Sequence, residues 1–489
     1  MNRSTTNKDR RLYDVIVLGA GPTGENVAER TRAAGLSTVI VENELLGGEC
    51  SYWACEPSKA LLRPVLARAD ARRVPGLRRA VAGPLDVAAV LDHRDEIVFH
   101  WQDDNQVGWL DSVSVDLIRG HGRLDGPRQV AVRTPDGDTV LLTARHVVAL
   151  CTGTGAAVPD IPGLDAVRPW TSREATSADR VPGRLAVVGG GVVAVEMATA
   201  WQALGSQVTM LVRGDAGLLP RMEPFAGRLV ADALREAGVD IRFGASVASV
   251  AREDGDVRAT LADGGELAVD EVLFATGRAP RTADLGLETI GLTPGTWLAV
   301  DDTCRVTAVA DGWLYAVGDV NHRALLTHQG KYQARMAGDA IGARAKGEQA
   351  DETTWGAHVA TADVAAVPQV VFTDPEVAAV GLTTREAERA GRRVEVVDYD
   401  LAHVAGAHQY ADGYRGQARM LVDTDRGTVV GVTFVGPGVG ELLYSATVAV
   451  VSEAPLQRLW HAVPAFPTIS EVWLRLLETY RDRHPPGRS

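Results

Sequence analysis

Two cysteines five positions apart, Cys50 and Cys55, are the residues whose type and spacing most directly suggest chemistry. A disulfide needs Cα atoms within about 7 Å of each other, and residues i and i+5 of a regular α-helix rise about 7.5 Å along the axis alone. The segment between them must therefore be distorted, with a helix beginning near Cys55, and Pro57 fits the first turn of such a helix. The dipole at that N-terminus favours a thiolate. We expect Cys55 to hold the thiolate and Cys50 to be the sulfur that exchanges; the alternative is two reduced core cysteines.

A glycine-rich turn precedes the cysteines. Residues 14–19 form a short β-branched apolar run, typical of a buried parallel strand, and lead into Gly19, Gly21 and Gly24 at GxGxxG spacing. Because a helical stretch follows, the pattern predicts a dinucleotide site, in which the glycines allow a tight turn, approach to a pyrophosphate and close helix packing. The following strand ends in Glu42, which would accept hydrogen bonds from a ribose 2′-OH. A glycine turn in another α/β fold is the alternative.

A second strand, glycine-rich turn and helix occur in the middle of the chain. Its fingerprint residues are Gly189, Gly191 and Ala194, and the next predicted strand, residues 207–213, ends in Arg213 rather than in an acid. An acid would repel a 2′-phosphate, whereas an arginine would pair with it. The sequence therefore favours NADPH over NADH, and the alternative is that Arg213 is a solvated loop residue.

Length, composition and charge exclude several classes of protein. The 489 residues suggest about three or four domains. With 46% apolar and 23% charged residues the composition is that of a soluble protein, and no run of about 18 apolar residues predicts a membrane span. A net charge of −13 argues against a nucleic-acid partner. Residues 1–12 lack the apolar stretch of a secretory signal, and four cysteines are too few for a disulfide scaffold, so we expect a cytoplasmic protein with no metal site.

The cysteine segment resembles the pattern GGTCxxxGCxPSK of the class I pyridine nucleotide–disulfide oxidoreductases, the family of glutathione reductase, dihydrolipoamide dehydrogenase and mercuric reductase. Here it extends from Gly47 to Lys59, with Glu49 and Ala54 as departures. The resemblance continues along nearly the whole chain. It implies FAD in the first dinucleotide site, NAD(P)H in the second, and electron transfer between nicotinamide, flavin and the cysteine pair. It also implies that Lys59 pairs with Glu196 beside flavin N5.

Further segments resemble the flavin motifs of the family. Residues 147–157 and 271–280 resemble its two connectors, and residues 313–320 resemble its second flavin motif. The resemblance implies that Asp319 bonds the ribityl chain of FAD, and that the helix after it points toward the flavin pyrimidine. The other cofactor-binding residues that it implies are Gly48, Gly153, Gly277, Arg278 and Gly318.

From about residue 351 the chain resembles the dimerisation domain of the family. There an HPTxSE segment completes the active site across a twofold interface, with a histidine that takes a proton from the exchanging thiol and a glutamate that orients it. In this chain the glutamate is Glu471, but Phe466 stands in the histidine position. Phenylalanine cannot transfer a proton. His461, on the same segment, is a candidate replacement, and the alternative is that it is a packing or surface residue.

These patterns predict an α/β protein with two Rossmann-like dinucleotide-binding domains, for FAD and NAD(P), and an α+β C-terminal dimerisation domain. The expected bounds are 1–155 for the FAD-binding part with the cysteines, 156–284 for the NAD(P)-binding domain, 285–350 for the central FAD-binding part and 351–489 for the dimerisation domain.

The leading functional hypothesis is a homodimeric FAD enzyme that relays electrons between NAD(P)H and a small-molecule or carrier-tethered thiol/disulfide substrate through the cysteine pair. One alternative is an NAD(P)H reductase of quinones, dyes or metal ions. The other is a flavoprotein subunit that docks on a partner presenting a tethered thiol.

Overall fold

The computed structural model describes residues 9–485. The first eight residues of the polar segment 1–12 therefore lie outside the described residues. The strands, numbered in chain order, are β1 Asp9–Leu18, β2 Thr38–Glu42, β3 Asp116–Arg119, β4 His121–Leu124, β5 Gln129–Arg133, β6 Thr139–Leu150, β7 Thr154–Ala156, β8 Arg184–Val188, β9 Gln207–Val212, β10 Asp240–Phe243, β11 Val247–Glu253, β12 Asp256–Leu261, β13 Glu266–Val269, β14 Glu271–Phe274, β15 Arg278–Pro280, β16 Leu314–Ala316, β17 Gln369–Val371, β18 Glu376–Gly381, β19 Val394–Asp400, β20 Gln417–Asp423 and β21 Thr428–Gly436.

Helices lie between these strands and after the last of them. In chain order they are α1 Pro22–Ala33, α2 Gly48–Tyr52, α3 Cys55–Arg73, α4 Val87–Ile97, α5 Asp104–Ser112, α6 Leu164–Val167, α7 Ser172–Ser177, α8 Val192–Leu204, α9 Pro224–Glu236, α10 Thr327–Ala345, α11 Ala362–Ala365, α12 Thr384–Arg389, α13 Ala405–Tyr410, α14 Leu443–Val451, α15 Leu456–Leu459 and α16 Val472–Arg483. No helix among the described residues is long and apolar enough to cross a lipid bilayer.

The chain divides into two compact units. The first contains the described residues as far as Glu56, together with Asp95–Gly155 and Arg278–Val364. The second contains Pro57–Arg94, Ala156–Gly277 and the described residues from Ala365 onward. The finer division into four segments that the sequence suggests stays a prediction.

Within the described residues, the first unit holds a seven-stranded sheet in the order β3-β2-β1-β6-β5-β4, with β16 paired to β6. The strands β3, β2, β1, β6 and β16 pair in parallel, whereas β5 is antiparallel to both of its neighbours, β6 and β4. Val15, Ile16 and Val17 of β1 are fully buried, as expected of a central parallel strand. The strand includes residues 9–13, ahead of the predicted residues 14–19, because these residues pair with β6 although most of their side chains are exposed and give no apolar signal.

The second unit holds, in its described part, a parallel four-stranded sheet in the order β10-β9-β8-β14 and an antiparallel meander, β11-β12-β13. It also holds a five-stranded antiparallel sheet, β17-β18-β21-β20-β19, on which the C-terminal helices α14 and α16 pack. Each parallel sheet has the strand, glycine-rich turn and helix that the sequence predicted. The predicted fold class is therefore confirmed.

Trp201 of α8 lies at the centre of the apolar core around the parallel sheet of the second unit. Its side chain is fully buried, and its ring centroid is 5.6 Å from that of Trp170. The indole N–H has no hydrogen-bond partner among the described residues. Trp201 therefore stabilises the unit through packing alone.

We expect Trp201→Ala to lower the free energy of unfolding by about 3–5 kcal/mol, the usual cost of truncating a buried aromatic side chain. Trp201→Phe should cost clearly less, because it keeps most of the contacts and removes an N–H that has no acceptor. Urea unfolding followed by circular dichroism measures both. Equal losses for the two variants would contradict a role limited to packing.

Candidate functional site

The two cysteines lie on either side of a break between two helices of the chain. Cys50 is in the short helix α2, the backbone leaves the helical conformation at Trp53, with φ −139°, and α3 begins at Cys55. The break brings the two free thiols within hydrogen-bonding distance of each other. The predicted distortion, and the helix beginning at the second cysteine, are therefore present.

The surroundings of the thiols distinguish one sulfur from the other. The hydrogen bond from Cys55, burial and the charge on Cys55 together raise the pKa of the Cys50 thiol well above its ordinary value. Cys55 Sγ lies 3.3 Å from Thr327 Oγ1, on the first residue of α10, and itself begins the 19-residue helix α3. Thr327 also forms a hydrogen bond with the Cys50 thiol, which opposes the rise in its pKa. Only Cys55 lies at the N-terminus of a long helix, so a pair that carries one negative charge holds it best on Cys55.

The other two cysteines, Cys151 and Cys304, are buried. Cys151 and Cys304 are free, and burial raises the pKa of both thiols. A neutral buried thiol is a poor nucleophile.

The first glycine turn is shaped by close backbone contacts. Gly19 has φ +97°, and a Cβ there would lie 2.5 Å from the carbonyl oxygen of Cys151. A Cβ on Gly24 would lie 1.9 Å from the carbonyl oxygen of Gly19, so only glycine lets α1 approach the strand this closely. By contrast, no atom lies within 4 Å of a Cβ placed on Gly21, which caps α1 without a side-chain hydrogen bond. The turn thus leaves open space at a helix N-terminus, which suits a phosphate group.

Glu42 lies at the end of β2 and is buried beside this turn. Its Oε2 accepts a hydrogen bond from the Ala20 N–H at 2.7 Å, and its Oε1 accepts one from the Glu44 N–H at 2.8 Å. Burial raises the pKa of Glu42, and the backbone donors oppose that rise. Each oxygen has a second lone pair that can accept a ribose hydroxyl, so the residue fits the predicted role.

The predicted flavin-motif residues of the first unit meet in one hydrogen-bonded cluster. Thr154 Oγ1 donates to Asp319 Oδ2 at 2.6 Å, and Arg278 Nε donates to Thr154 Oγ1 at 2.5 Å. Gly153 precedes Thr154 and Gly318 precedes Asp319, so both predicted glycines lie in the turns that carry this cluster. Sequence reasoning missed Thr154 and Thr327. Thr154 lies inside the segment 147–157 that resembles a connector of the family, whereas Thr327 lies outside the segments that resemble cofactor motifs. The glycine turn, Glu42 and this cluster fit a dinucleotide such as FAD.

The second glycine turn has the same construction. Gly189 has φ +134°, and a Cβ there would lie 2.4 Å from the carbonyl oxygen of Ala275. Gly191 caps α8 without a side-chain hydrogen bond and faces open space, and Ala194 is buried in the first turn of that helix. This turn also fits a pyrophosphate.

Two further residues predicted to bind cofactor lie in the second unit. Arg213 follows the end of β9, and its exposed side chain has no ion pair or hydrogen bond within the part of the chain that the structure describes. Gly277 accepts a hydrogen bond from the Ala157 N–H at 2.9 Å. An unpaired guanidinium at the end of the second strand is free to meet a phosphate.

The structure forms the predicted ion pair in the second unit. Lys59 Nζ is 2.9 Å from Glu196 Oε2, and the Glu196 side chain is only 4% exposed. The other carboxylate oxygen accepts the Phe372 N–H at 3.0 Å, and the ammonium lies 4.9 Å from the Phe372 ring centroid. Lys59 therefore compensates a buried carboxylate that is held in place by the backbone.

The C-terminal segment provides no imidazole at the expected place. Phe466 is 74% exposed, and His461 is exposed too. Glu471 is buried; its Oε1 accepts a hydrogen bond from Arg475 at 2.5 Å, and its Oε2 has no hydrogen-bond partner among the residues described. Among residues 9–485 no hydrogen bond joins His461 to Glu471. The catalytic role of His461 therefore stays a prediction.

Comparison with known proteins agrees with this site. The profile of the pyridine nucleotide-disulphide oxidoreductase family matches residues 13–339, and the profile of its dimerisation domain matches residues 367–476. A mercuric reductase of Acidithiobacillus ferrooxidans is 33% identical over 476 residues, covering 96% of this chain and 82% of its own. Dihydrolipoyl dehydrogenase 3 of Pseudomonas aeruginosa is 32% identical over 468 residues, covering 94% of this chain and 96% of its own.

Two solved structures have the same fold as this chain. The Cu(II) complex of the HOCl-induced flavoprotein disulfide reductase RclA from Escherichia coli matches with a TM-score of 0.82 at 24% identity, over 96% of this chain and 99% of that one. LpdA from Mycobacterium tuberculosis matches with a TM-score of 0.79 at 26% identity, also over 96% and 99%. Profiles, relatives and fold agree with the cysteine pair and the two glycine turns, and the chain belongs to the class I pyridine nucleotide–disulfide oxidoreductase family.

Proposed function

We propose that the chain is a homodimeric, FAD-dependent oxidoreductase that passes electrons between NADPH and a thiol/disulfide substrate through Cys50 and Cys55. The family as a whole depends on FAD and NAD(P)H. The observation that carries the proposal is the contact between the two thiols at the break before α3, with Cys55 as the first residue of that long helix. An anaerobic titration with NADPH and with dithiothreitol, followed by a panel of substrates, tests it.

The cysteines perform the exchange in the proposed reaction. When bound, FAD supplies the two-electron step between the nicotinamide and the cysteine pair. Two electrons break the Cys50–Cys55 disulfide, leaving the negative charge on Cys55 and a thiol at Cys50. The thiolate form of Cys50 then attacks a substrate disulfide and releases one thiol. Cys55 attacks the mixed disulfide, which releases the second thiol and restores the Cys50–Cys55 bond.

NADPH is the preferred nicotinamide in this proposal because of Arg213. Its guanidinium follows the second strand of the Rossmann unit and has no carboxylate partner within residues 9–485. A 2′-phosphate would gain a charged hydrogen bond there, whereas a 2′-OH would gain little.

A second copy of the chain is the partner we propose for the C-terminal region. The dimerisation profile covers this region, and several large apolar side chains in it are well exposed. They are Tyr444, Val448, Val463 and Phe466, with exposures of 78%, 48%, 86% and 74%. Burial of such a patch between two copies would stabilise a homodimer. The cytoplasmic location expected from the sequence stays a prediction.

Reduction of metal ions is a second candidate function, favoured by Phe466. The thiol released from a disulfide substrate leaves as a thiolate that needs a proton. This chain has Phe466 where the family pattern has the histidine that would supply it. Reduction of a thiophilic metal ion needs no such proton. One relative of this chain is named mercuric reductase, and the RclA structure holds Cu(II). Mercuric and cupric ions therefore belong in the substrate panel beside disulfides.

The first expected outcome concerns the two sulfurs. Reduction by two electrons should produce a long-wavelength absorption band from the Cys55 thiolate next to FAD. Cys55→Ser should abolish this band, whereas Cys50→Ser should show it without any reductant, because its remaining thiol cannot form the disulfide. Absorption spectra of the purified variants check this. The opposite pattern would reverse the roles of the two cysteines.

Arg213→Glu should weaken NADPH relative to NADH by about 1–3 kcal/mol, the value of one charged hydrogen bond. The dissociation constants of both nucleotides, measured by calorimetric titration, give this difference. NADH is the internal control because it has no 2′-phosphate. An unchanged preference for NADPH over NADH would mean that Arg213 is a solvated loop residue that does not contact the nucleotide.

Phe466→His should raise the turnover of glutathione disulfide, because general acid–base help is worth about 10²–10⁴-fold and Glu471 Oε2 is free to orient a new ring. An activated aromatic disulfide is the matched control: its leaving thiol has a low pKa and needs no proton, so its turnover should not change. Steady-state rates with both substrates measure the effect. A wild-type rate on glutathione disulfide of about 10 s⁻¹ or more, ordinary for enzymes, would mean that another residue supplies the proton.

A further inference from the structure

The loop that carries Asp319 lies against two helices of the first unit. A Cβ on Gly318 would lie 2.8 Å from Thr23 Oγ1, in the first turn of α1, and a Cβ on Gly330 of α10 would overlap the same oxygen atom. Gly318 has φ +82° and ψ −152°, a conformation that is essentially restricted to glycine. The backbone before Asp319 is therefore in close contact with both helices.

One buried side chain of α10, Gln333, holds this loop. Its Oε1 accepts hydrogen bonds from the Gly318 N–H at 2.7 Å and from Asn321 Nδ2 at 2.8 Å, and the whole side chain is buried. The Cys304 thiol is a weaker donor to the same oxygen, at 3.9 Å. Gln333 thus binds the loop on both sides of Asp319.

The hydrogen bond from Gly318 to Gln333 has no substitute nearby. Among the described residues the Gly318 N–H has no other acceptor, whereas Asn321 Nδ2 also donates to the carbonyl oxygen of Ala316 at 3.0 Å. A buried backbone N–H without an acceptor is rare and costly. If the glutamine oxygen were removed, the loop would gain free energy by turning this N–H toward water. That movement would displace the next residue, Asp319.

The Asp319 carboxylate is held from its other side by the connector. Its Oδ2 accepts the hydrogen bond from Thr154 Oγ1 at 2.6 Å and lies 3.6 Å from Arg278 Nε. Its Oδ1 accepts no hydrogen bond within residues 9–485. One oxygen is therefore fixed and the other can accept a hydroxyl group, as the family resemblance implies for the ribityl chain.

We propose that Gln333 is a positioning residue for FAD. By fixing the Gly318 backbone, it keeps the Asp319 carboxylate where it can accept a ribityl hydroxyl. Gln333 lies outside the segment 313–320 that resembles the flavin motif, and it acts on that segment from the neighbouring helix. The inference deepens the proposed FAD-dependent function and rests on it.

The test measures the affinity of the apoprotein for FAD, by quenching of flavin fluorescence, rather than turnover. Gln333→Met keeps the length of the side chain and removes the acceptor oxygen. It should raise the dissociation constant of FAD about 5- to 100-fold, the value of a buried hydrogen bond whose donor is left unpaired, because the loop conformation that binds FAD becomes a minor state of the apoprotein. Gln333→Glu should retain most of the affinity, because a glutamate offers an acceptor oxygen in either protonation state, even with the Asp363 carboxyl group beside it.

A double-variant cycle with Asp319→Asn distinguishes positioning from a general loss of stability. Asp319→Asn alone should weaken FAD binding. Gln333→Met should then add little, because the loop no longer carries the carboxylate that Gln333 positions. If Gln333 acted only through folding, the two losses of affinity would add.

Thr31→Val is the matched control. Thr31 is also fully buried in the first unit, and its hydroxyl donates to the carbonyl oxygen of Val27 at 2.9 Å, at the end of α1 away from the glycine turn. This variant should lower the thermal stability of the apoprotein and leave its FAD affinity unchanged. If Gln333→Met fails to fold, Gln333→Asn, which withdraws the amide by one methylene group, replaces it in both measurements.

Two results would overturn the inference: unchanged FAD affinity when the Gln333 oxygen is removed or withdrawn, or fully additive losses in the double variant. Failure of the wild-type protein to bind FAD would instead overturn the proposed function itself.

Discussion

The site depends on how closely the backbone can approach itself at the first glycine turn. Gly24 lets α1 pack against the carbonyl group of Gly19, and Gly48 lets the segment before Cys50 pass over Gly21. A side chain at Gly24 or Gly48 would separate elements that now touch. The close approach brings the segment before Cys50 and the N-terminus of α1 together. Glu42, at the end of the neighbouring strand, hydrogen-bonds to the same turn. In the second unit, the turn at Gly189 makes a similarly close backbone contact, with the carbonyl oxygen of Ala275.

Charge pairing is the second feature that organises the molecule. The chain has a net charge of −13, and both candidate nucleotide sites must accept anions. In the first unit Arg281 meets Glu49, and in the second unit Lys59 meets the buried Glu196. A buried carboxylate without a partner costs several kcal/mol or takes up a proton, so these pairs keep the sites in a defined charge state. Arg213 differs from both cations because it has no partner among the described residues, which is what a site for an incoming phosphate requires.

The C-terminal segment is where this chain departs from the pattern of its family, because Phe466 stands in place of the histidine. Exchange between two cysteines needs only the sulfurs, a stabilised thiolate and a source of electrons. Protonation of a leaving thiol needs a further group, and Phe466 cannot provide it. The buried Glu471 is instead paired with Arg475, with one oxygen left without a partner in the described part of the chain. This difference from the family pattern is the reason why metal ions stand beside disulfides as candidate substrates.

The sequence by itself determined the features that depend on neighbouring residues. Strand, turn and helix around Gly19 and Gly189 follow from local periodicity and glycine spacing, and the helix beginning at Cys55 follows from Pro57 and the cysteine spacing. Residues 9–13 of β1 were not predicted, because exposed residues that join a sheet through backbone bonds leave no apolar pattern.

Contacts between residues far apart in the sequence were decided only by the tertiary structure. Thr327 reaches Cys55 across 272 positions, Thr154 reaches Asp319 across 165, and Arg281 reaches Glu49 across 232. The Lys59–Glu196 pair was foreseen only through resemblance to a family, although it too spans 137 positions. Local patterns specify which elements form. The partner of a side chain is set by the packing of those elements in space, and no spacing along a single chain encodes that packing.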